Sequence, residues 1–272
     1  MPDTLLLFRE AFAGTLLIAA ACAVLGVYVV YRRMVFVAAA LAQLSSAGIA
    51  LAGFLAGLGL GGIVTSELGV SSAVTLGGVV FFAHESVERR VPTDSRLGLA
   101  YVLAGAIAVL LAARTAGMDV HEFMLRGNIL GITGGDLWLI LAVVVVVLAV
   151  HVAFFKEFLF VSFDREMAAT LGYAVGRWNL LLHLTMGAVI AVSMAAAGVL
   201  LVFAFLVVPA VTGVLLGRSV RAVFTWAMGS SLASSVIGFL ISIALDLPTG
   251  PTIVAVAGSL AALAGIIAKL RD

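Results

Sequence analysis

A histidine and two methionines in one long apolar run of the sequence could line a path for a metal ion. His183, Met186, Ile190 and Met194 have spacings that bring them close to one face of an α-helix. Imidazole nitrogen and thioether sulfur are suitable donors for transition metals. The same pattern also suits a histidine hydrogen-bonded to a neighbouring helix, with methionines that fill irregular gaps. His183 is therefore a candidate metal or path residue, and the structural alternative stays open.

A second group of possible metal ligands lies in the polar stretch 114–136. Asp119, His121 and Glu122 bring carboxylate and imidazole groups close together in the chain. We treat these three residues as a candidate cation site at an outer mouth, with an ordinary surface loop as the alternative. His151 stands near charged residues at the end of its apolar run, so we expect a boundary residue there rather than a ligand.

Motifs for ATP binding and for hydrolytic chemistry are missing from the sequence. It contains no GxxxxGK[ST] loop, so we do not expect this chain itself to bind ATP in the usual manner. An HExxH motif, a nucleophile elbow and paired cysteines are also absent, and the single cysteine is Cys22. No basic cluster indicates nucleic acid binding. We expect a protein that is not an enzyme and has no permanently bound cofactor.

The composition determines which elements must carry these residues. Of the 272 residues, 64% are hydrophobic and 11% are charged, and the mean hydropathy is +1.26. A water-soluble domain of this composition would expose a largely apolar surface. The sequence therefore predicts an all-α, polytopic membrane bundle that forms a single transmembrane domain over residues 1–272.

Nine apolar runs are long enough to cross a bilayer. They cover residues 11–31, 36–57, 69–85, 97–113, 137–157, 180–196, 198–217, 222–245 and 251–268. The division between 180 and 217 has three possible places, because Gly187 and Gly198 suit a turn and Pro209 should kink or break a helix. We expect about eight or nine transmembrane helices.

The basic residues predict the orientation of these spans. If the N-terminus lies outside and the spans alternate, only Arg9, Arg114 and Arg126 of the 15 Lys and Arg residues lie on the outer side. Lys and Arg are enriched in cytoplasmic loops. The sequence therefore predicts an outer N-terminus, a cytoplasmic C-terminus and a cytoplasmic position for residues 162–179.

Residues 162–179 form a polar island between two apolar runs. Several of its side chains are costly to place in hydrocarbon, namely Asp164, Arg165, Glu166 and Arg177. Ser162 or Asp164 could cap a short helix, and Gly172 or Gly176 could end it. A short amphipathic helix held between two spans would suit the docking of a soluble partner.

Six stretches follow one another in a recognisable order along nearly the full chain. They are residues 28–52 (YVVYRRMVFVAAALAQLSSAGIALA), 91–106 (VPTDSRLGLAYVLAGA), 125–133 (LRGNILGIT), 161–172 (VSFDREMAATLG), 198–216 (GVLLVFAFLVVPAVTGVLL) and 245–258 (LDLPTGPTIVAVAG). Together they resemble the permease subunits of bacterial metal-ion ABC importers, the family that serves zinc, manganese and iron. The resemblance implies the permease fold of vitamin B12 and metal importers, in the bacterial inner membrane.

The resemblance also implies partners and a substrate. Two permease copies would form a homodimer around a central path, with two separate ATP-binding cassette ATPase subunits below and an extracytoplasmic metal-binding protein above. A divalent transition metal would be the substrate. The part that matches 162–179 would carry the coupling helix, which sits in a cleft of the ATPase, and its matching residues are Asp164, Arg165, Glu166, Ala169 and Gly172.

Two positions of the chain depart from this family in a way that bears on the substrate. Such permeases commonly have an Asp and, four residues later, a His on the second span. The residues at the matching translocation-path positions are Ala39 and Gln43. Alanine offers no ligand, and an amide is a poor ligand for zinc. Three explanations remain open: ligands elsewhere in the chain, a substrate such as a metal chelate, or a non-identical partner that supplies the ligands.

The main hypothesis is an ABC importer permease that moves a divalent transition metal inward by alternating access. A secondary transporter or channel without an ATPase is an alternative, but no span has a convincing central carboxylate for ion coupling. A membrane subunit that assembles with another permease and transports nothing itself is a third hypothesis.

Overall fold

Ten α-helices and one 3₁₀ turn make up the part of the chain that the structure describes. The computed structural model describes residues 8–59, 66–83, 92–115 and 129–271, and these ranges contain no strand. The helices are α1 (Arg9–Tyr31), α2 (Val35–Gly57), α3 (Glu67–Ala83), α4 (Thr93–Arg114), α5 (Gly134–Ala153), α6 (Phe155–Phe163), α7 (Arg165–Thr170), α8 (Val175–Leu216), α9 (Val220–Leu245) and α10 (Thr249–Arg271), and the 3₁₀ turn is Ile129–Gly131. The prediction of an all-α chain is confirmed.

Seven of these helices are long and apolar enough to cross a membrane, namely α1, α2, α4, α5, α8, α9 and α10. Helix α3 is a shorter apolar helix. Helix α8 has 42 residues, and at about 1.5 Å per residue it is roughly twice as long as a bilayer core of about 30 Å requires. If α3 and both halves of α8 are counted, the described ranges agree with the predicted eight or nine spans.

The two halves of α8 are separated at Gly198. This residue has φ 77° and ψ 167°, a combination that is essentially restricted to glycine. Gly187 lies within the first half, where it packs closely on the Val79 side chain of α3. Pro209 lies in the second half, which is helical on both sides of the proline. Of the three places that the sequence offered, the break therefore falls at Gly198.

Two predicted spans have different ends in the structure. The span predicted at 137–157 ends at Ala153, and Lys156 and Glu157 belong to the separate helix α6. Charged side chains are costly in hydrocarbon, so a turn at Phe154 takes them out of the long apolar helix. The helix predicted to start at residue 180 begins at Val175 instead.

The chain divides into two compact units. Unit 1 comprises residues 1–32, 127–150 and 196–272, and unit 2 comprises residues 33–126 and 151–195. The single transmembrane domain over residues 1–272 stays a prediction.

Small residues and hydroxyl groups hold the helices of unit 1 together. The Ser231 hydroxyl of α9 donates a hydrogen bond of 2.9 Å to the Ala19 carbonyl of α1. Gly26 of α1 lies directly against the Leu206 carbonyl of α8, so no side chain fits between the two backbones. A Cβ at Gly238 would lie 2.6 Å from the Ile253 Cα of α10. Such close backbone approach supplies the van der Waals contact that replaces the hydrophobic effect in lipid.

In unit 2, small residues and hydroxyl groups likewise hold α2 against its neighbours. Its alanines pack against alanines of α4 in one buried cluster, formed by Ala47, Ala50, Ala104, Ala108 and Ala112. On the side of α3, the buried hydroxyls of Ser45 and Ser71 form a hydrogen bond of 2.7 Å. A Cβ at Gly48 would lie 2.6 Å from the Ser71 Cα. Helix α2 is therefore fixed between α3 and α4 by small residues.

The conformation of Gly198 gives a stability prediction. Substitution Gly198→Ala places a Cβ on a backbone that side chains rarely adopt, which costs about 1–3 kcal/mol. Gly258 of α10 is a matched control, because a Cβ there meets nothing within 4 Å, and Gly258→Ala should be neutral or stabilise by about 0.5–1 kcal/mol. Thermal unfolding in detergent should show a lower midpoint for Gly198→Ala only. Equal midpoints for the two variants would contradict the strain at Gly198.

Candidate functional site

Residues 154–174, here called the connecting segment, join helix α5 to helix α8 and contain the short helices α6 and α7. Asp164 links these two helices. Its backbone N–H donates to the Phe160 carbonyl at the end of α6 (3.0 Å), and its carboxylate accepts a hydrogen bond from the Met167 N–H of α7 (2.9 Å). A carboxylate at this position also complements the positive end of a helix. Of the two caps that the sequence offered, the structure uses Asp164.

Ser162, the other candidate cap, lies within α6, and its hydroxyl donates to the Phe158 carbonyl. Gly172 ends α7 with a left-handed backbone of φ 85°. The Tyr173 N–H then donates to the Ala168 carbonyl over 3.0 Å, which is the hydrogen bond of a Schellman-type helix end. Gly176 lies in the first turn of α8 instead. The polar island therefore contains a short helix with defined ends, as the sequence predicted.

The outer surface of the connecting segment combines charges with large apolar side chains. The residues that match the coupling helix in sequence are all exposed, namely Asp164, Arg165, Glu166, Ala169 and Gly172. Four large apolar residues beside them are 40–65% exposed, namely Phe163, Met167, Leu171 and Tyr173. Ala168, by contrast, is fully buried and faces inward. A mixed apolar and charged surface of this kind is typical of a protein interface.

Aromatic rings connect the inner side of the connecting segment to the helices before and after it. The His151 ring, in the last turn of α5, stacks on Phe158 of α6 with centroids 4.5 Å apart and planes 6° apart. Trp178, in the first turn of α8, meets Phe158 at 5.5 Å and Phe154 at 5.3 Å. Phe160 and Tyr173 form a further edge contact at 5.3 Å.

Sequence reasoning did not identify this aromatic group. His151 was expected to be a boundary residue, and its side chain is only 1% exposed and stacked on a ring. The available signal was the run FFKEFLF at 154–160, which places four rings within about two helical turns. That run reads equally well as part of an apolar span. Only the turn at Phe154 reveals that these rings belong to a separate short helix.

His183 lies in the first half of α8 and is only 4% exposed. Its Nδ1 is 2.8 Å from the Asn179 carbonyl one turn earlier, so the proton assigned to Nδ1 donates to that oxygen. Met186, Ile190 and Met194 are buried as well, as the predicted common face requires. This bond lies within α8 itself, and both interpretations of His183, as a path residue and as a structural histidine, stay predictions. A ring held through Nδ1 directs Nε2 away from the helix backbone.

Ala39 and Gln43 are half-buried on α2. A Cβ at Gly105 of α4 would lie 3.5 Å from the Gln43 Oε1, so the amide lies against α4. Within the described residues, no group of three or more His, Cys, Asp and Glu side chains could hold a metal ion. Asp119, His121 and Glu122 lie outside the described residues.

Asp136, at the end of the same polar stretch, caps helix α5. Its carboxylate accepts hydrogen bonds from the Thr133 N–H (3.1 Å) and the Thr133 hydroxyl (2.7 Å). The Asp136 N–H donates to the Thr133 oxygen in return, over 3.4 Å. This reciprocal arrangement is a capping box, so Asp136 has a structural use at the start of α5.

Comparison with known proteins places this geometry in a family. Residues 5–268 match the ABC 3 transport family. The chain belongs to this family. Over 259 residues it is 29% identical to the manganese transport system membrane protein MntC of Halalkalibacterium halodurans, covering 94% of this chain and 85% of that protein. Over 263 residues it is 26% identical to the "Probable iron transport system membrane protein" of Haemophilus influenzae, covering 97% and 94%.

A solved structure shares the fold. PsaBC from Streptococcus pneumoniae, in complex with a Fab, matches with a TM-score of 0.84 and 22% identity, over 99% of this chain and 98% of that chain. The protein is thus a multi-pass membrane permease of the ABC importer type, as the six sequence stretches predicted. The polar connecting segment between α5 and α8 is its candidate functional site.

The cap at Asp164 gives a local prediction. Asp164→Ala removes the acceptor of the Met167 N–H and should cost α7 about 1 kcal/mol, whereas Asp164→Asn keeps an acceptor. Amide hydrogen exchange over Arg165–Thr170 should accelerate in the alanine variant and stay near wild type in the asparagine variant. Equal acceleration in both would show that charge, rather than the capping bond, holds this helix.

Proposed function

We propose that this permease imports a divalent transition metal ion, with manganese or iron as the leading candidates and zinc as a third. The observation that carries the proposal is the family membership together with the manganese and iron relatives. The long apolar helices fit a bacterial inner-membrane protein. The distribution of Lys and Arg supports an outer N-terminus, a cytoplasmic C-terminus and a cytoplasmic connecting segment.

The connecting segment is the docking surface for the ATPase in this proposal. Its exposed charges offer ion pairs to a partner, and its exposed Phe163, Met167 and Leu171 offer apolar anchors. Two ATPase subunits, a homodimer of the permease and an extracytoplasmic metal-binding protein complete the assembly. Six residues are too few for a helix to be stable in isolation. The caps at Asp164 and Gly172 therefore keep this surface formed before the partner binds.

ATP binding and hydrolysis in the partner supply the driving force for transport. Closure of the ATPase dimer moves the docked helix α7, and the movement passes through α6 to the spans that adjoin the connecting segment. Access to the path then alternates between the two sides of the membrane. The permease itself contributes the path and the mechanical connection, and it performs no covalent chemistry.

The path of the metal uses ligands other than the family-matched pair. Ala39 offers no donor and the Gln43 amide rests against α4, so this position is a weak site for a bare transition metal. His183 is the candidate ligand on the path, since its ring is buried and held through Nδ1. Asp119, His121 and Glu122 are candidates for capturing the cation at the outer mouth.

A metal chelate is the second candidate substrate. The residues Ala39 and Gln43 favour this second candidate. A chelated metal arrives with its ligands already supplied and needs none from either side chain. The Gln43 amide and the small Ala39 side chain are better suited to contact a bulky polar chelate than to coordinate a bare cation.

Docking through the connecting segment can be tested by placing a charge on its apolar surface. Leu171→Glu should weaken binding of the purified ATPase about tenfold or more, because an apolar anchor in a central interface typically contributes over 1 kcal/mol. Leu58, in the turn after α2, is a matched control, since it is 63% exposed and Leu171 is 65% exposed. Leu58→Glu should leave the affinity unchanged in the same titration.

Two variants of the charged residues extend this test. Asp164→Asn and Arg165→Ala should also reduce ATPase association, and the asparagine variant does so without loss of the cap. Wild-type affinity in Leu171→Glu, Asp164→Asn and Arg165→Ala together would contradict docking at this segment.

The substrate can be tested by elemental analysis of cells that lack the permease. Cell-associated manganese, iron or zinc should fall and should return when the wild-type protein is restored. His183→Ala should restore import at least about tenfold less well than wild type, because a direct donor to a transition metal is lost. Ile190→Leu is the volume-conserving control, because Ile190 is buried on the same face and carries no donor atom. Unchanged levels of all three metals, with a fall in another solute, would contradict the metal proposal.

A further inference from the structure

We infer that His151, Phe154, Phe158 and Trp178, here called the aromatic clamp, transmit movement of the docked segment to helices α5 and α8. The inference rests on the proposed function, because it assigns the residues through which docking at the connecting segment reaches the spans. His151 and Trp178 are positioning residues in this role. In this inference they act by fixing helix α6 rather than by contacting the ATPase or the substrate.

Helix α6 is joined to both neighbouring spans by ring contacts. The parallel stack of His151 on Phe158 attaches it to the last turn of α5, with centroids 4.5 Å apart. The edge contact of Phe158 with Trp178 attaches the same ring to the first turn of α8 at 5.5 Å. Phe158 thus lies between the two spans and is itself 1% exposed. It contacts both His151 and Trp178.

Two further contacts prevent the joints of the connecting segment from acting as free hinges. Trp178 also packs on Phe154, the residue at the turn between α5 and α6. Phe160 of α6 packs on Tyr173, in the turn between α7 and α8. A push on the segment therefore cannot be absorbed by bending at either turn without breaking ring contacts.

The connection from the docking surface to the clamp is equally short. The Asp164 carboxylate accepts a hydrogen bond from the Met167 N–H of α7, and the Asp164 N–H donates to the Phe160 carbonyl of α6. One residue is therefore both the cap of α7 and the end of α6. Ala168 of α7 is fully buried beneath the exposed surface. Displacement of α7 by a partner is thus carried by α6, and the clamp passes it to α5 and α8.

Aromatic rings suit this use because they are rigid and have few rotatable bonds. Each ring pair adds a modest interaction beyond its burial and has preferred stacked or edge geometries. A branched aliphatic side chain of similar hydrophobicity fills part of the space but can slide against its neighbours. Replacement of a ring should therefore affect mechanical coupling more strongly than assembly.

The experiment compares variants in proteoliposomes that hold the permease, the ATPase and the binding protein. Import of manganese(II), iron(II) and zinc(II) is measured beside ATP hydrolysis, and the readout is the number of cations imported per ATP hydrolysed. Phe158→Leu and Trp178→Leu should lower this ratio about fivefold to tenfold, as expected from loss of one or two ring contacts. The ATPase should stay bound in both variants.

Conservative variants separate coupling from folding. His151→Phe and Trp178→Phe keep a ring at each position and should retain most of the wild-type ratio, whereas His151→Leu should lose it. Phe239→Leu is the matched control, since Phe239 is also fully buried and in an edge contact, with Phe12 of unit 1, outside the connecting segment. Its ratio should equal that of the wild type.

Each outcome bears on a separate claim. Import and hydrolysis that fall in proportion, or a wild-type ratio in Phe158→Leu and Trp178→Leu, would overturn the clamp while leaving the proposed function intact. If Phe158→Leu does not fold, the comparison of His151→Leu with His151→Phe decides, and equal ratios in that pair count against the clamp. A wild-type complex that binds no ATPase or imports none of the three cations would overturn the proposed function itself.

Discussion

The constraint on which the whole structure depends is that a backbone N–H or C=O in hydrocarbon must find its hydrogen bond within the protein. Long α-helices meet this demand within one segment, and they occupy most of the described residues. The absence of water from the hydrocarbon, which imposes this constraint, also removes the hydrophobic effect as a force between helices, so close contact must replace it. Gly26 against the Leu206 carbonyl and Gly48 against the Ser71 backbone provide that contact. Buried hydroxyls such as Ser231 and Ser45 add bonds across helix pairs without introducing a charge.

The connecting segment is stabilised by different interactions from those that hold the long helices. Helices α1 and α2 have no side-chain cap on their first turn, because their length and packing hold them. Helix α7 has six residues and is held by the Asp164 cap and the Gly172 end. Its outer face carries both charged and apolar side chains, and its inner side buries Ala168. A stable, exposed and firmly seated short helix between two spans is the physical requirement for receiving force from a soluble partner.

In the proposed function, drive and selectivity occupy separate parts of this permease. In that proposal, Asp164 and Leu171 belong to the surface that receives force, and the aromatic rings lie in or beside the same connecting segment. The residues that would select a cation lie elsewhere, at the matched pair Ala39 and Gln43 and at His183. Divergence at Ala39 and Gln43 can change the substrate without disturbing the coupling, since the alanine packing of α2 on α4 does not depend on a ligand at either position.

Composition and order along the chain were enough to predict the class of protein, about eight or nine spans and the polar stretch that we propose as the docking surface. A polar island between apolar runs has no place in hydrocarbon, so residues 162–179 could be recognised without any structure. The sequence could not choose between Ser162 and Asp164 as the cap, or place the break of α8 at Gly198, because several residues satisfied the same local rule. The run FFKEFLF indicated that rings were present, but not which of them meet in the aromatic clamp. Whether His151, Phe158 and Trp178 meet depends on the turn at Phe154 and on three helices folding back on one another, which local propensity does not encode. The tertiary structure alone decided which rings join the connecting segment to the spans.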